Sequence, residues 1–366
     1  MTTLDTLFAT YGQSPWIDDA GEDSLVEGKL AHLVSQGVRG AVFSVSGFAR
    51  SLVGGSYDEA IHNSTQRDCE RLYDSLAALT ARDGCDVLRD VHQRSRDDFS
   101  ARRRRYCDGF VAIEMAANAG DSAAILAGAR RLSEAVQREN VLIGVAASPH
   151  GLEAIPQILA LGIGVNVTAI FSTKRYLEVL GAWKSGMVLA ISRGRDPSAI
   201  GCVTSLALSP IDAAIDSHLA HFDQRRGTAG PAQAAAVYEK FRSYFDRRVG
   251  ASLLARGAQV PRPMWTSTSP ANRDYFGLLY VNFLAGEETV NAMSNATLAR
   301  AFDHGDFTKT LLATKRTVSK TATMMKDLPR TIVHAAVASK LERDFESAAK
   351  RTHDEMILAL RAKTDQ

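Results

Sequence analysis

Cysteine is scarce in this chain of 366 residues: Cys69, Cys85, Cys107 and Cys202 are the only four, and none forms a C-x-x-C pair. That argues against a disulfide scaffold or a cysteine-built zinc site and suits reduced thiols in a cytoplasm. Also missing is any run of about 18 apolar residues, so no transmembrane helix is expected. The opening "MTTLDTLFATYGQ" carries an early acid and no basic n-region, which makes it a poor signal peptide. Neither sign of charge is in surplus. The formal net charge is +2, and the average surface advertises neither nucleic acid nor anionic lipid. The glycines form no P-loop and no dinucleotide fingerprint. These absences leave a cytoplasmic protein that acts on a small molecule without a cofactor, a nucleic-acid partner or a membrane, with a homodimer left open.

What is present is core material in regular alternation. Hydrophobic residues make up 45% and charged residues 23%, enough for one large domain or two ordinary ones. Apolar runs read as strands at 15–18, 40–45, 109–115, 141–147 and 163–171. They continue at 187–192 or 201–208, then at 263–268 and 288–293. Between them lie Ala/Leu/Arg-rich segments with helical spacing, such as "SAAILAGARRLSEAVQREN". Strands alternating with helices imply a parallel sheet, and about eight such units without a linker imply a closed (β/α)₈ barrel with additional N- and C-terminal helices. Residues 1–366 read as one barrel domain, with 308–366 as amphipathic closing helices. "SARRRRY" at 100–106 lacks an aromatic platform and reads as a solvated turn before the third strand.

The stretch "NVLIGVAASPHG" at 140–151 poses the main question. It reads as a buried parallel strand whose last residues should lie where such a barrel does its chemistry. Ser148 is placed to cap the next helix and Pro149 to take its first position. Yet the strand carries no ionisable side chain, and a glycine stands at position 144. His32, His62, His150 and His304 are isolated; His150 follows this strand and reads as a surface helix residue.

Several segments together resemble the transaldolase family in its longer bacterial form. They are "GQSPWIDD" near the start, "GVRGAVFS", "VAIEM", "GLEAIPQILALGIGVNVTAIFSTKRYLEVLGAW", "VPRPMWTST", "LLYV" and "ETVNAM", in order along nearly the whole chain. The resemblance implies a class I aldolase-type barrel that holds a ketose as a Schiff base on a strand-4 lysine and transfers a dihydroxyacetone unit. Only an amine makes the iminium that serves as electron sink for carbon–carbon cleavage. It also implies that Asp18 moves protons and that Glu114 and Thr168 position a catalytic water. Asn166 and Ser205 match pocket positions. "DDAGED" at 18–23 has a spacing able to hold magnesium against a diphosphate, but the family's similar acidic pair works without metal, and no metal is expected.

The resemblance breaks at position 144, where the implied lysine is Gly144. Ser44 stands in place of a pocket asparagine, and Pro210 follows Ser209 where the family has an arginine contributing to phosphate binding. "STSPAN", which contains Ser267, lacks the usual basic residue, with Arg273 a displaced substitute. Lys174, after strand 5, is the nearest other amine and reads as solvated. These departures predict a roomier, less cationic pocket lined by Ser44, Gly144, Asn166, Ser205 and Ser267. The leading expectation is lysine-independent acid–base chemistry by Asp18, Glu114 and Thr168: dehydration, isomerisation or cyclisation of a non-phosphorylated biosynthetic intermediate. Two alternatives stay open: dihydroxyacetone transfer using another amine, and a non-catalytic binding or regulatory scaffold.

Overall fold

Period-2 runs rich in Val, Ile and Ala become eight short strands, each followed by a helix that covers its outer face. In the computed structural model, which describes residues 2–25, 28–101, 103–115, 121–246, 248–327 and 334–364, these are β1 (Gln13–Ala20), β2 (Ala41–Phe43), β3 (Val111–Glu114), β4 (Val141–Ala146), β5 (Val165–Ile170), β6 (Cys202–Ala207), β7 (Arg262–Thr266) and β8 (Thr289–Met293). They pair in sequence order, all parallel, and β8 closes on β1 to give a (β/α)₈ barrel. Of the two alternatives for the sixth strand, 201–208 holds. Residues 187–192 end the helix Thr173–Ser192, where Met187 and Ala190, three apart, share a buried face.

Side-chain alternation divides the strands into two sets. Trp16, Val42, Ala112, Leu142, Val203, Met264, Val290 and Ala292 point inward and form one buried cluster, which also takes Phe110. The intervening residues pack outward against the helices in a second, larger cluster. The Trp16 ring fills so much of the interior that a Cβ on Gly40 would sit 2.3 Å from it, so glycine is required there. Serines just beyond the strands start the following helices. Ser44, Ser148, Ser172 and Ser294 each accept from a backbone amide three residues on. Pro149 takes the first helical position, as its place after Ser148 predicts.

An N-terminal helix, Thr3–Tyr11, precedes β1. After β8 and its helix Asn295–His304, the tail is helical over Lys315–Thr323 and His334–Thr364. Residues 308–314 form turns, so helix starts later than the sequence pattern suggests. The helix His334–Thr364 is about 46 Å long and crosses the carboxyl end of the barrel. Near its start, Phe345 meets Phe171, just beyond β5, and Glu342 accepts two bonds from Arg175. It also packs on the helix Ser209–Asp216 that follows β6 and on the helix Val45–Val53 that follows β2. Near its end, Lys363 pairs with Asp58. Strands 2 and 6 stand opposite each other in a ring of eight, so a helix that touches both exits spans the mouth.

Candidate active site

The inward set places the site. Continuing each alternation toward the carboxyl end brings Asp18 after Trp16, Ser44 after Val42 and Glu114 after Ala112. In the same way Gly144 follows Leu142, and Ser205 follows Val203. Asn166 and Thr168 share the inward parity on β5. Position 144 lies level with Glu114 on one side and Asn166 on the other, because β3, β4 and β5 pair in register there.

Gly144 packs closely on the neighbouring strand: a Cβ at this position would lie 3.2 Å from the Glu114 Cα and from the Ile113 carbonyl oxygen, and 3.4 Å from the Glu114 Cγ. Glu114 Oε2 accepts from the Val45 amide at 2.9 Å. Val45 is the first residue of the helix Val45–Val53, so the carboxylate sits on a helix N-terminus, where negative charge is favoured. Tyr73 donates to the Glu114 carbonyl at 2.9 Å, and burial raises its hydroxyl well above the usual range, so it remains a neutral donor. Ser44 caps that same helix through Gly47 at 3.0 Å and lies 2.9 Å from the Ser46 hydroxyl.

On the other side of Gly144, Ser205 donates to Asn166 Oδ1 at 2.6 Å, with both residues buried. That bond fixes the amide so that its nitrogen is the free donor end. Thr168 stands where the pairing of β5 with β6 loses register, between Val167 and Ile170. Ala169 is left-handed at φ 58°, a conformation costly for a residue with a Cβ. The irregularity turns the end of β5 and re-aims Thr168. Asp18 occupies a similar place, in the register shift of β1 against β2 between Ile17 and Ala20. Ser267, exposed just after β7, is also left-handed at φ 51°, and its carbonyl accepts from the Ser209 amide at 3.3 Å.

Other candidates lie apart from this ring. Lys174 has 88% of its side chain exposed and reaches only Glu178, at 4.0 Å. His150 is exposed beside Glu153, and Arg273 is exposed on the loop after β7. Within "DDAGED", Glu22 accepts from Thr80 at 2.6 Å and Asp23 from Ser51 at 2.9 Å, so both carboxylates turn toward helices. Among the described residues no three His, Cys, Asp or Glu converge on a metal-sized site. In "SARRRRY", Arg103 pairs with Asp98, Arg104 stacks on Phe8 and Arg105 grips Glu288; Arg102 lies outside the described residues. No helix among the described residues is long and apolar enough to cross a membrane.

Tyr73 and Ala169 escape sequence reasoning. Tyr73 is far from Glu114 along the chain, and nothing in "FVAIEM" or "RLYDSL" announces their contact. A left-handed alanine carries no compositional mark at all.

The model of the transaldolase/fructose-6-phosphate aldolase family matches residues 16–355. A transaldolase of Thiobacillus denitrificans is 35% identical over 304 residues, covering 80% of this chain and 82% of that one. A transaldolase of Mycolicibacterium smegmatis is 32% identical over 362 residues, covering 94% and 95%. One from Acidothermus cellulolyticus is 36% identical over 304 residues, covering 80% and 79%. The chain belongs to the transaldolase/fructose-6-phosphate aldolase family.

Proposed function

We propose that this chain is an enzyme of that family which works without an imine. It performs dehydration, isomerisation or cyclisation on a non-phosphorylated, polyhydroxylated carbonyl compound of a biosynthetic route. Residues 1–366 act as one barrel unit, with the tail as its cover. Asp18 and Glu114 divide the roles of base and acid; Thr168 and the Asn166–Ser205 pair orient substrate oxygens, and Ser44, Gly144 and Ser267 line the pocket. The observation that carries this reading is the glycine between Glu114 and Asn166, together with the absence of lysine from every barrel strand. An iminium needs a primary amine within reach, and Lys174 is held out in solvent. Pro210 beside Ser209 offers no guanidinium to a phosphate, which favours an uncharged substrate.

Kinship favours a second reading. The relatives carry the name transaldolase, so dihydroxyacetone transfer by an amine elsewhere in the chain is the competing activity.

The test uses Asp18→Asn and Glu114→Gln with a metabolite extract of the source cell, following substrate loss by mass spectrometry. Each swap keeps size and removes the titrating group. A positioned acid or base is worth about 10²–10⁴-fold in rate, so each variant should lose turnover by that factor while melting like the parent. Full activity in both variants rejects the acid–base assignment.

A further inference from the structure

Glu114 ends β3, and part of what fixes it there comes from outside the barrel. The pairing of β2 with β3 stops at Ile113, one residue short of it. The helix Cys69–Val87 lies alongside, with Leu72, Tyr73, Leu76, Ala77 and Thr80 on its buried face at three- and four-residue spacing. Tyr73 is 1% exposed and donates to the Glu114 carbonyl at 2.9 Å. Its ring meets Phe48 edge-on, with centroids 4.8 Å apart. Phe48 belongs to the helix Val45–Val53, whose first amide is the donor to Glu114 Oε2 at 2.9 Å. The cavity beside the phenol measures about 10 Å³, room for one water and too small for the ring to swing into.

Burying a phenol hydroxyl gains nothing over phenylalanine unless the hydroxyl is bonded, so the bond to Glu114 accounts for a tyrosine at this position. That bond fixes the carbonyl. The planar peptide that carries the carbonyl then constrains the direction in which the Glu114 side chain leaves the strand. The direction decides whether the carboxylate reaches the Val45 amide. We propose that Tyr73 is a positioning residue for Glu114. Its hydroxyl holds the glutamate by the main chain, and its ring steadies, through Phe48, the helix that receives the carboxylate. Tyr73 acts through Glu114 and not on the substrate. The inference rests on the reading of Glu114 as an acid or base, and it adds that the aim of this carboxylate is set from a helix of the outer layer.

The test is a rate cycle on the full-length protein. The parent, Tyr73→Phe, Glu114→Gln and the double variant each consume the same compound from a metabolite extract of the source cell, followed by mass spectrometry. Tyr73→Phe keeps the ring and its contact with Phe48, so the fold survives, and consumption should slow about tenfold, because a misaimed group loses rate steeply. Since Tyr73 acts through Glu114, the double variant should be no slower than Glu114→Gln alone. Tyr73→4-aminophenylalanine, made by nonsense suppression, restores an N–H donor at the same place and should recover most of the lost rate. A parental rate in Tyr73→Phe, no recovery with the amino analogue, or a double variant about tenfold slower than Glu114→Gln overturns the proposal and leaves the acid–base reading standing. A parental rate in Glu114→Gln has a different signature: it removes the acid–base reading itself, and any role for Tyr73 through Glu114 with it.

Discussion

The two ends of the barrel are built on opposite terms. At the amino end, Asp108, fully buried, accepts from Ser14 at 2.5 Å, Trp16 at 3.0 Å, Arg39 at 3.0 Å and Arg262 at 3.0 Å. Arg262 also donates to Ser14 at 2.7 Å and lies over the Tyr106 ring. Burial alone would raise the Asp108 carboxyl, but the two arginines and the Ser14 hydroxyl outweigh it and hold it at about 2. At the carboxyl end, strand pairing loses register twice, and the polar groups are carboxylates, an amide and hydroxyls. Asp212, in the helix after β6, shows the contrast within one residue type. It is buried with the Tyr280 hydroxyl and the Gly230 and Ala229 amides as donors, and desolvation leaves it raised to about 6. One end sets its carboxylate between two arginines; the other, where barrels of this type carry their sites, meets Glu114 with a backbone amide and Asp212 with a hydroxyl and amides.

The comparison breaks most visibly if the amino-end network is cut. Asp108→Asn should cost about 3–5 kcal/mol in urea unfolding, because it leaves Arg262 buried beside a neutral group. Glu114→Gln at the other end should cost little. Equal losses at both ends would erase the distinction.

Acid titration sharpens it further. The depressed Asp108 stabilises the fold above the unfolded value near 4, and that stabilisation, about 2 kcal/mol, is lost as pH falls toward 2. The raised Asp212 acts with the opposite sign. Its stabilisation is complete below about 4 and is lost, by about 3 kcal/mol, as pH climbs through about 6. Asp212→Asn should therefore flatten the stability profile between pH 4 and 6 and leave the acid limb unchanged. A profile that keeps its slope in that window would assign the slope to other groups.

These two networks also mark how far sequence reaches. The strands were legible because alternation, length and serine caps are local signals; only the sixth was ambiguous, since a helix end such as "MVLAIS" is as apolar as a strand. Asp18, Glu114, Asn166, Thr168 and Ser205 were legible through resemblance, and the barrel's alternation brings their positions to one ring of strand ends. The Asp108 network was not, because Ser14, Arg39, Asp108 and Arg262 come from four distant segments and meet only when the barrel closes.

The smallest expected effect belongs to Gly144. Gly144→Ala places a Cβ at 3.2 Å from Glu114 and should cost about 1 kcal/mol while pushing the carboxylate off the Val45 amide. Gly144→Lys should meet the same obstruction and give no appreciable transaldolase turnover, since an amine without an oriented donor is not enough. Substantial turnover from that single change would show that the pocket still seats a sugar phosphate.

The central claim, catalysis without an imine, is tested most directly by borohydride reduction in the presence of fructose 6-phosphate. Reduction would trap any iminium as a stable secondary amine on the protein. With Gly144 between Glu114 and Asn166, no lysine on a strand and Lys174 in solvent, the account predicts an unmodified mass. A covalent three- or six-carbon adduct mapped to any lysine would contradict it and establish aldol transfer in its place.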